Sequence, residues 1–172
     1  MQLEFATVYD EEVSRIYGFF SYRLNSRSDA EDLTQVTFER ALRAWPKYDP
    51  RRASPATWIF TIARNTLIDH YRADKTRANV PLDDPEQFER VMPTVAAYEY
   101  DEGVAPELRA ALRDLSPRDR EVVAMRYGAE MSGPEIASVT GLSVANVQQI
   151  LSRSLRRLRS KLDEMGYERS DG

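Results

Sequence analysis

Five serines, each standing just before a helical pattern, constrain this chain more than any other feature. Ser28 and Glu31 read as a capping-box pair, hydroxyl and carboxylate each taking a backbone N–H of the first turn, and the helix they open is stopped by Pro46. Ser54-Pro55 and Ser116-Pro117 read as N-caps followed by a proline in the first turn, where no N–H is needed. Gly128 ends the helix that Ser116 opens. Ser132 and Glu135 repeat the capping box, Gly141 closes that short helix, and Ser143 caps the last one. With only 7 glycines and no alternating pattern long enough to prefer period two over 3.6, the chain is expected to be all-α.

Charge divides the chain. Residues 73–106 carry three basic residues (Lys75, Arg77, Arg90) against eight acidic ones, with Pro81, Pro85, Pro93 and Gly103 among them. This reads as an acidic linker over 78–105, with a short helical turn near Pro85–Val91, joining a small helical domain at 1–77 to another at 106–165. Modules of this size bury only a modest core. Residues 144–162 carry five basic residues (Arg153, Arg156, Arg157, Arg159, Lys161) and no acidic one. The net charge of −4 argues against tight binding of free DNA, which draws on phosphate neutralisation, while the segregated charge suits one helix that meets nucleic acid.

Several function classes fall away. There is no Cys, so disulfides and thiol chemistry are excluded. No apolar run approaches the roughly 18–20 residues of a membrane span, and MQLEFATVYDEEV has no signal-peptide pattern, so a cytoplasmic chain without stable membrane insertion is expected. His70, the only His, falls on the inner side of its helix and is expected to be packed. Asp83-Asp84 is a carboxylate pair without a partner on the acidic linker. No phosphate loop or metal-ligand spacing appears, so no enzyme activity, cofactor or metal is expected.

The C-terminal segment reads as a helix-turn-helix. Ile136, Ala137 and Val139 give the first helix its apolar face, Gly141 allows the left-handed turn, and Leu142 packs in the corner. In the second helix, Val144, Val147, Leu151, Leu155, Leu158 and Leu162 form one apolar stripe. Away from it, after the cap Ser143, stand Ala145, Asn146, Gln148, Gln149, Ser152 and Arg153. The start of a recognition helix reaches base edges, where Gln and Asn pair with adenine and Arg with guanine or phosphate. Arg156, Arg157 and Arg159 suit phosphates. The competing reading is a helical hairpin that binds protein.

In the N-terminal segment, the helix from Asp29 to about Trp45 is apolar on two sides. Ala30, Leu33, Val36, Ala41 and Ala44 share one; Phe38 and Leu42 lie opposite, beside Glu31 and Gln35. Two readings follow: a core face with a protein-docking patch behind it, or a central helix with core on both sides. In the next helix, from Pro55 to about Arg72, Ile59, Ile62, Ala63, Thr66 and Leu67 face the core, and Trp58, Thr61, Asn65 and Arg72 cluster elsewhere. Those four groups can stack on, hydrogen-bond to and neutralise an unpaired strand. The Lys47-Tyr48-Asp49-Pro50-Arg51-Arg52-Ala53 loop has the cations and the aromatic to enclose an extruded base. For Trp58, a place in the core and a place as base platform both remain open.

These residues resemble the two-domain bacterial sigma factors of the extracytoplasmic-function group. DAEDLTQVTF is similar to their polymerase-clamp docking segment, TWIFTIARNTLIDHYR to the segment that opens and reads the −10 element, and LSPRDREVVAMRYGAEMSGPEIASVTGLSVANVQQILSRSLRRLR to the domain that reads the −35 element. The resemblance implies a dissociable, non-catalytic subunit of RNA polymerase that recognises and melts promoters, with core polymerase, promoter DNA and an anti-sigma factor as partners. It implies docking through Asp32, Leu33, Gln35 and Phe38, flanked by Glu31 and Leu42. It implies −10 contacts from Asn65, Arg72 and the 47–53 loop (Lys47, Tyr48, Arg51, Arg52), joined by Trp58 and Thr61. It implies −35 contacts from Ser143, Ala145, Asn146, Gln148, Gln149, Ser152, Arg153 and Arg156. The acidic linker would thread near the polymerase's RNA path, imitating nucleic acid. The chain departs from the family pattern at Val36, where members often have Glu, and in a recognition helix with Ala145, Asn146, Gln148, Gln149 and Ile150 in place of small and basic residues, so a −35 sequence is not inherited with the domain. Ten residues follow Leu162, too few for an appended sensory domain. Two alternatives stand beside this one: an autonomous helix-turn-helix regulator that binds operators without polymerase, and a sigma-like interaction protein without promoter activity.

Overall fold

The computed structural model describes residues 3–77 and 105–166; the acidic linker reading, its short helical turn and Asp83-Asp84 lie outside the described residues. Among the described residues there are seven helices and no strand, the all-α architecture that the caps require. Three form the first group: α1 (Phe5–Arg23), α2 (Arg27–Ala44), followed by a 3₁₀ turn at Trp45–Lys47, and α3 (Pro55–Arg77). Four form the second: α4 (Pro106–Arg113), α5 (Pro117–Val123), which runs into a π-helical turn at Ala124–Gly128, α6 (Gly133–Thr140) and α7 (Val144–Glu164).

The caps explain most boundaries. Ser54 Oγ accepts from Thr57 N at 3.2 Å, Ser116 Oγ from Asp119 N at 3.2 Å, and Ser143 Oγ from Asn146 N at 3.1 Å. The box before α6 is complete: Ser132 N donates to Glu135 Oε2 at 2.7 Å and Glu135 N to Ser132 Oγ at 3.3 Å. Gly141 then turns the chain at φ 76°, a conformation open to glycine without a Cβ penalty. The first box is corrected. Ser26, extended at φ −123°, is the cap and accepts from Asp29 N, so Ser28 already sits inside the first turn. Glu31 pairs instead with Arg27 one turn back, at 3.0 Å.

Two apolar stripes also differ from the sequence expectation, because small polar residues are buried in both. On α2 the buried set is Ala30, Leu33, Thr34, Thr37, Phe38 and Ala41. The Thr34 and Thr37 hydroxyls donate to the carbonyls four residues back, both at 2.7 Å, so they enter the core as satisfied groups and bring Phe38 with them. On α7 the buried set is Val147, Ile150, Ser154 and Leu158, while Val144 and Leu155 are exposed. Ser154 is fully buried in that face, its hydroxyl oxygen without a hydrogen-bond partner among the described residues.

The two helical groups share one continuous buried cluster. Phe19, Phe20, Phe60 and Leu67 of the first group belong to it together with Met125, Met131 and Ile136 of the second. At its centre α1 crosses the π-helical turn so tightly that a Cβ on Gly18 would meet the carbonyl oxygen of Gly128 at 1.8 Å. Polar bonds line the seam. Arg15 Nε donates to Ala129 O at 2.8 Å, Arg23 to Pro117 O at 2.8 Å, Arg109 to Leu24 O at 2.8 Å, and Arg64 pairs with Glu121 at 2.6 Å. Inside the second group, the Arg120 guanidinium donates to the carbonyls of Leu112, Arg113 and Leu115, closing the end of α4. Burial lowers its pKa to about 10, which leaves it charged at neutral pH.

Candidate protein-docking and nucleic-acid interfaces

Helices α1 and α2 enclose an open, mainly apolar groove of about 750 Å³, lined by Phe5, Tyr9, Val13, Tyr17, Gln35, Phe38 and Leu42 with Glu31 and Glu39 among its polar groups. Its apolar crest is Leu42, 56% exposed, and Tyr9, 44% exposed. Phe38 is not part of the crest. It lies beneath Tyr9, ring centroids 4.7 Å apart and edge-on, with 6% of its surface exposed. Gln35 stands free of the core and donates to Glu39 at 3.0 Å. The docking set read from sequence is therefore split: Glu31, Gln35, Phe38 and Leu42 line this groove, whereas Asp32 and buried Leu33 line a separate small cavity with Asp29, His70, Ala73 and Asp74. His70 is half-buried there, its Nε2 3.5 Å from Asp74, rather than packed in the core. Tyr9 is not singled out by the sequence, because the apolar pattern of α1 does not mark one outer residue.

On α3, Thr61, Asn65 and Arg72 are all exposed, and their spacing places them along one side of the helix. Thr61 donates its hydroxyl to Thr57 O at 2.8 Å, which leaves its oxygen lone pairs outward. Trp58, one turn earlier, is half-buried and does not share that exposure. It packs against Tyr48 and Trp45, ring centroids 4.9 and 5.8 Å away. The loop between the 3₁₀ turn and α3 is cross-bonded. The Tyr48 hydroxyl donates to Ala53 O at 2.9 Å, and Asp49 receives the Arg51 backbone N–H at 2.9 Å and two guanidinium N–H groups at 3.0 Å. Those bonds to Arg51 hold the Asp49 carboxyl below the usual carboxylate range. Lys47, Arg51 and Arg52 are exposed around the loop.

Helix α7 presents the third surface. Ala145, Gln148, Gln149, Ser152, Arg153 and Arg156 are exposed, Asn146 is half-buried, and the Ser143 hydroxyl is engaged as the cap. Arg153 also braces the fold, because its Nη2 lies 2.9 Å from Asp119 Oδ1, a carboxylate 5% exposed at the first turn of α5. Among the described residues no group of three or more His, Cys, Asp or Glu is placed to hold a metal. None of the described helices is long and apolar enough to cross a membrane.

Two family models match this arrangement: Sigma-70 region 2 over residues 8–77 and Sigma-70 region 4 over residues 106–158. The chain is thus built as a pair of sigma-factor domains. It is 31% identical over 169 residues to the ECF RNA polymerase sigma factor SigL of Mycobacterium tuberculosis, covering 94% of this chain and 90% of that one. It is 31% identical over 157 residues to the ECF sigma factor BldN of Streptomyces coelicolor, covering 90% of this chain and 58% of the relative, and 27% identical over 153 residues to SigM of Bacillus subtilis, covering 89% and 91%. Among solved structures, the sigma factor RpoE bound to the anti-sigma factor NepR from Bartonella quintana shares the fold, with a TM-score of 0.69, 21% identity and coverage of 92% of this chain and 96% of that one. CnrH in complex with the cytosolic domain of CnrY matches at a TM-score of 0.58 and 26% identity, over 93% of this chain and 88% of that one. The chain belongs to the ECF RNA polymerase sigma factors, and its function is promoter recognition.

Proposed function

We propose that the three surfaces divide the work of promoter recognition. The α1–α2 groove, with Gln35, Leu42 and Tyr9 at its rim, receives core polymerase. The exposed side of α3 (Thr61, Asn65, Arg72) and the Lys47–Ala53 loop take the −10 element as it opens. Helix α7 reads the −35 element, Gln148 and Gln149 at base edges and Arg156 at phosphate. Bond-making belongs to the polymerase; this chain is a non-catalytic subunit and acts in the cytoplasm. An anti-sigma factor is its regulatory partner, in keeping with the solved sigma factor RpoE, which is bound to the anti-sigma factor NepR.

The observation that carries this reading is the exposure of all three polar sets while the apolar faces behind them share one core. Spacing adds a requirement. Elements centred at −10 and −35 are 25 base pairs apart, roughly 85 Å of duplex at about 3.4 Å per pair. A compact chain of 172 residues has a radius of gyration of only about 16 Å. The two helical groups therefore have to part at the Gly18–Gly128 seam for both elements to be held at once. Residues 78–104 join them, and 27 residues can span at most about 97 Å.

Transcription in vitro with purified core polymerase on a randomised promoter library tests the reading. A paired −10 and −35 preference is expected, appearing only when chain and polymerase are both present. Tight sequence-specific binding of duplex DNA by the chain alone at physiological salt would instead establish the autonomous regulator.

A further inference from the structure

Both tryptophans of this chain sit beneath the Lys47–Ala53 loop. Trp45 and Tyr48 stack at 4.9 Å with an interplanar angle of 12°. Tyr48 and Trp58 lie 4.9 Å apart, tilted by 49°, and Trp58 meets Trp45 edge-on at 5.8 Å. Phe5 of α1 closes the outer side, edge-on to Trp45 at 5.5 Å. Rings engaged with one another in this way are poorly disposed to receive a base, since stacking on a base needs an open π-face. What they do present is the loop. The Tyr48 hydroxyl bonds Ala53 O across the mouth of the loop, and Arg52 N bonds Asp49 O at 3.0 Å to fix the turn at its tip. Asp49 then grips Arg51 through the backbone and both carboxylate oxygens.

We propose that Trp45, Tyr48 and Trp58 form a pedestal that holds the loop in its DNA-receiving shape, and that Asp49 is a positioning residue that sets the pose of Arg51. This rests on the reading of the loop as part of the −10 surface. The rings act through the loop and do not touch the extruded base. Ordering the loop before the strand arrives takes its conformational entropy out of the opening step. The Asp49 grip does a second thing. Arg51 with its charge already matched is a poor general phosphate binder, so the loop favours a strand that fits over any strand that is merely anionic.

The test uses the full-length chain assembled with core polymerase, with 5-hydroxytryptophan in place of tryptophan. The label enters only at Trp45 and Trp58 of this chain, and it is excited apart from the polymerase's own tryptophans. The probe is single-stranded DNA carrying the −10 sequence selected on the promoter library. Tyr48→Phe and Asp49→Asn remove a hydroxyl and a charge without opening a hole, so neither depends on tolerance of a large truncation. The pedestal predicts that the label is not quenched when the strand binds. It predicts that Tyr48→Phe slows open-complex formation about tenfold at unchanged polymerase affinity, below the roughly hundredfold cost of a badly misplaced group. It predicts that Asp49→Asn steepens the salt dependence of strand binding by about one phosphate contact while weakening discrimination between bases. Strong quenching together with an inert Tyr48→Phe overturns the pedestal and makes Trp58 a base platform. Arg52→Ala separates the two levels. If it impairs opening while Tyr48→Phe and Asp49→Asn do nothing, the −10 loop stands and the pedestal falls. If none of the three has an effect, both fall.

Discussion

The first helical group and the last helix present site residues in opposite ways. In the first group the same side chains pack and face outward: Phe38 lines the groove and is 6% exposed beneath Tyr9, Tyr48 and Trp58 pack together under a loop, and Arg51 is held by Asp49. In α7 packing and presentation belong to different residues. Val147, Ile150, Ser154 and Leu158 hold the helix down, and Gln148, Gln149, Ser152 and Arg156 stand outside. A straight capped helix separates its faces by rotation alone, whereas a groove and a loop are made by side chains that are also their walls. Changes in the walls of the groove and the loop should thus disturb fold and function together, whereas changes at exposed positions such as Leu42, Asn65 and most of α7 should separate them, with Arg153 as the exception on α7.

The largest effect is expected at Phe38. Removing a buried phenyl ring leaves a cavity, and Phe38→Ala should cost about 3–5 kcal/mol of stability, seen as a lower melting temperature of the free protein. Leu42→Ala, at the exposed rim of the same groove, should weaken polymerase binding with stability changed by no more than about 0.5 kcal/mol. If both variants melt like the wild type, the first group separates packing from presentation as α7 does, and the contrast fails. Next is Asn65→Ala. An exposed amide beside an opened strand is worth roughly one base contact, so open-complex formation should fall about tenfold while polymerase affinity and melting temperature stay put. Normal transcription from duplex promoters would take Asn65 out of the site.

On α7, Gln148→Ala or Gln149→Ala should each relax preference at one or two −35 positions by about 1–3 kcal/mol per base pair, with the salt slope nearly unchanged. A promoter-library selection that returns the wild-type −35 preference from both variants means the reading face lies elsewhere on the helix. Arg153→Ala should act on both levels: it strips a nearly buried Asp119 of its partner, about 1 kcal/mol after allowing for the half-exposed guanidinium, and it lowers the salt slope by about one contact. Arg156→Ala is the smallest change, with the salt slope lowered and melting within about 0.5 kcal/mol of the wild type. A clear melting shift in Arg156→Ala, or none in Arg153→Ala, would show that the strut to α5 is drawn from the wrong arginine.

What the sequence determined by itself is the set of local events. Ser54, Ser116, Ser132 with Glu135, Gly141 and Ser143 act through bonds within four residues, so they place the helices and the helix-turn-helix without reference to anything distant. The exposure of Gln148 and Gln149 was legible in the sequence because they lie off the apolar stripe of their helix. Where a small polar residue is buried, the pattern misled. Thr34, Thr37 and Ser154 look like surface residues and are buried, which moved two apolar stripes and turned Phe38 inward and Leu155 outward. Only the tertiary structure decided that Trp58 joins Trp45 and Tyr48, that Asp32 and Gln35 serve different cavities, and that Arg153 braces Asp119. It alone joined Gly18 to Gly128, Arg15 to Ala129 and Arg64 to Glu121. Those contacts link residues 57 to 114 positions apart, and no periodicity within one helix carries information about which turn of another will lie against it.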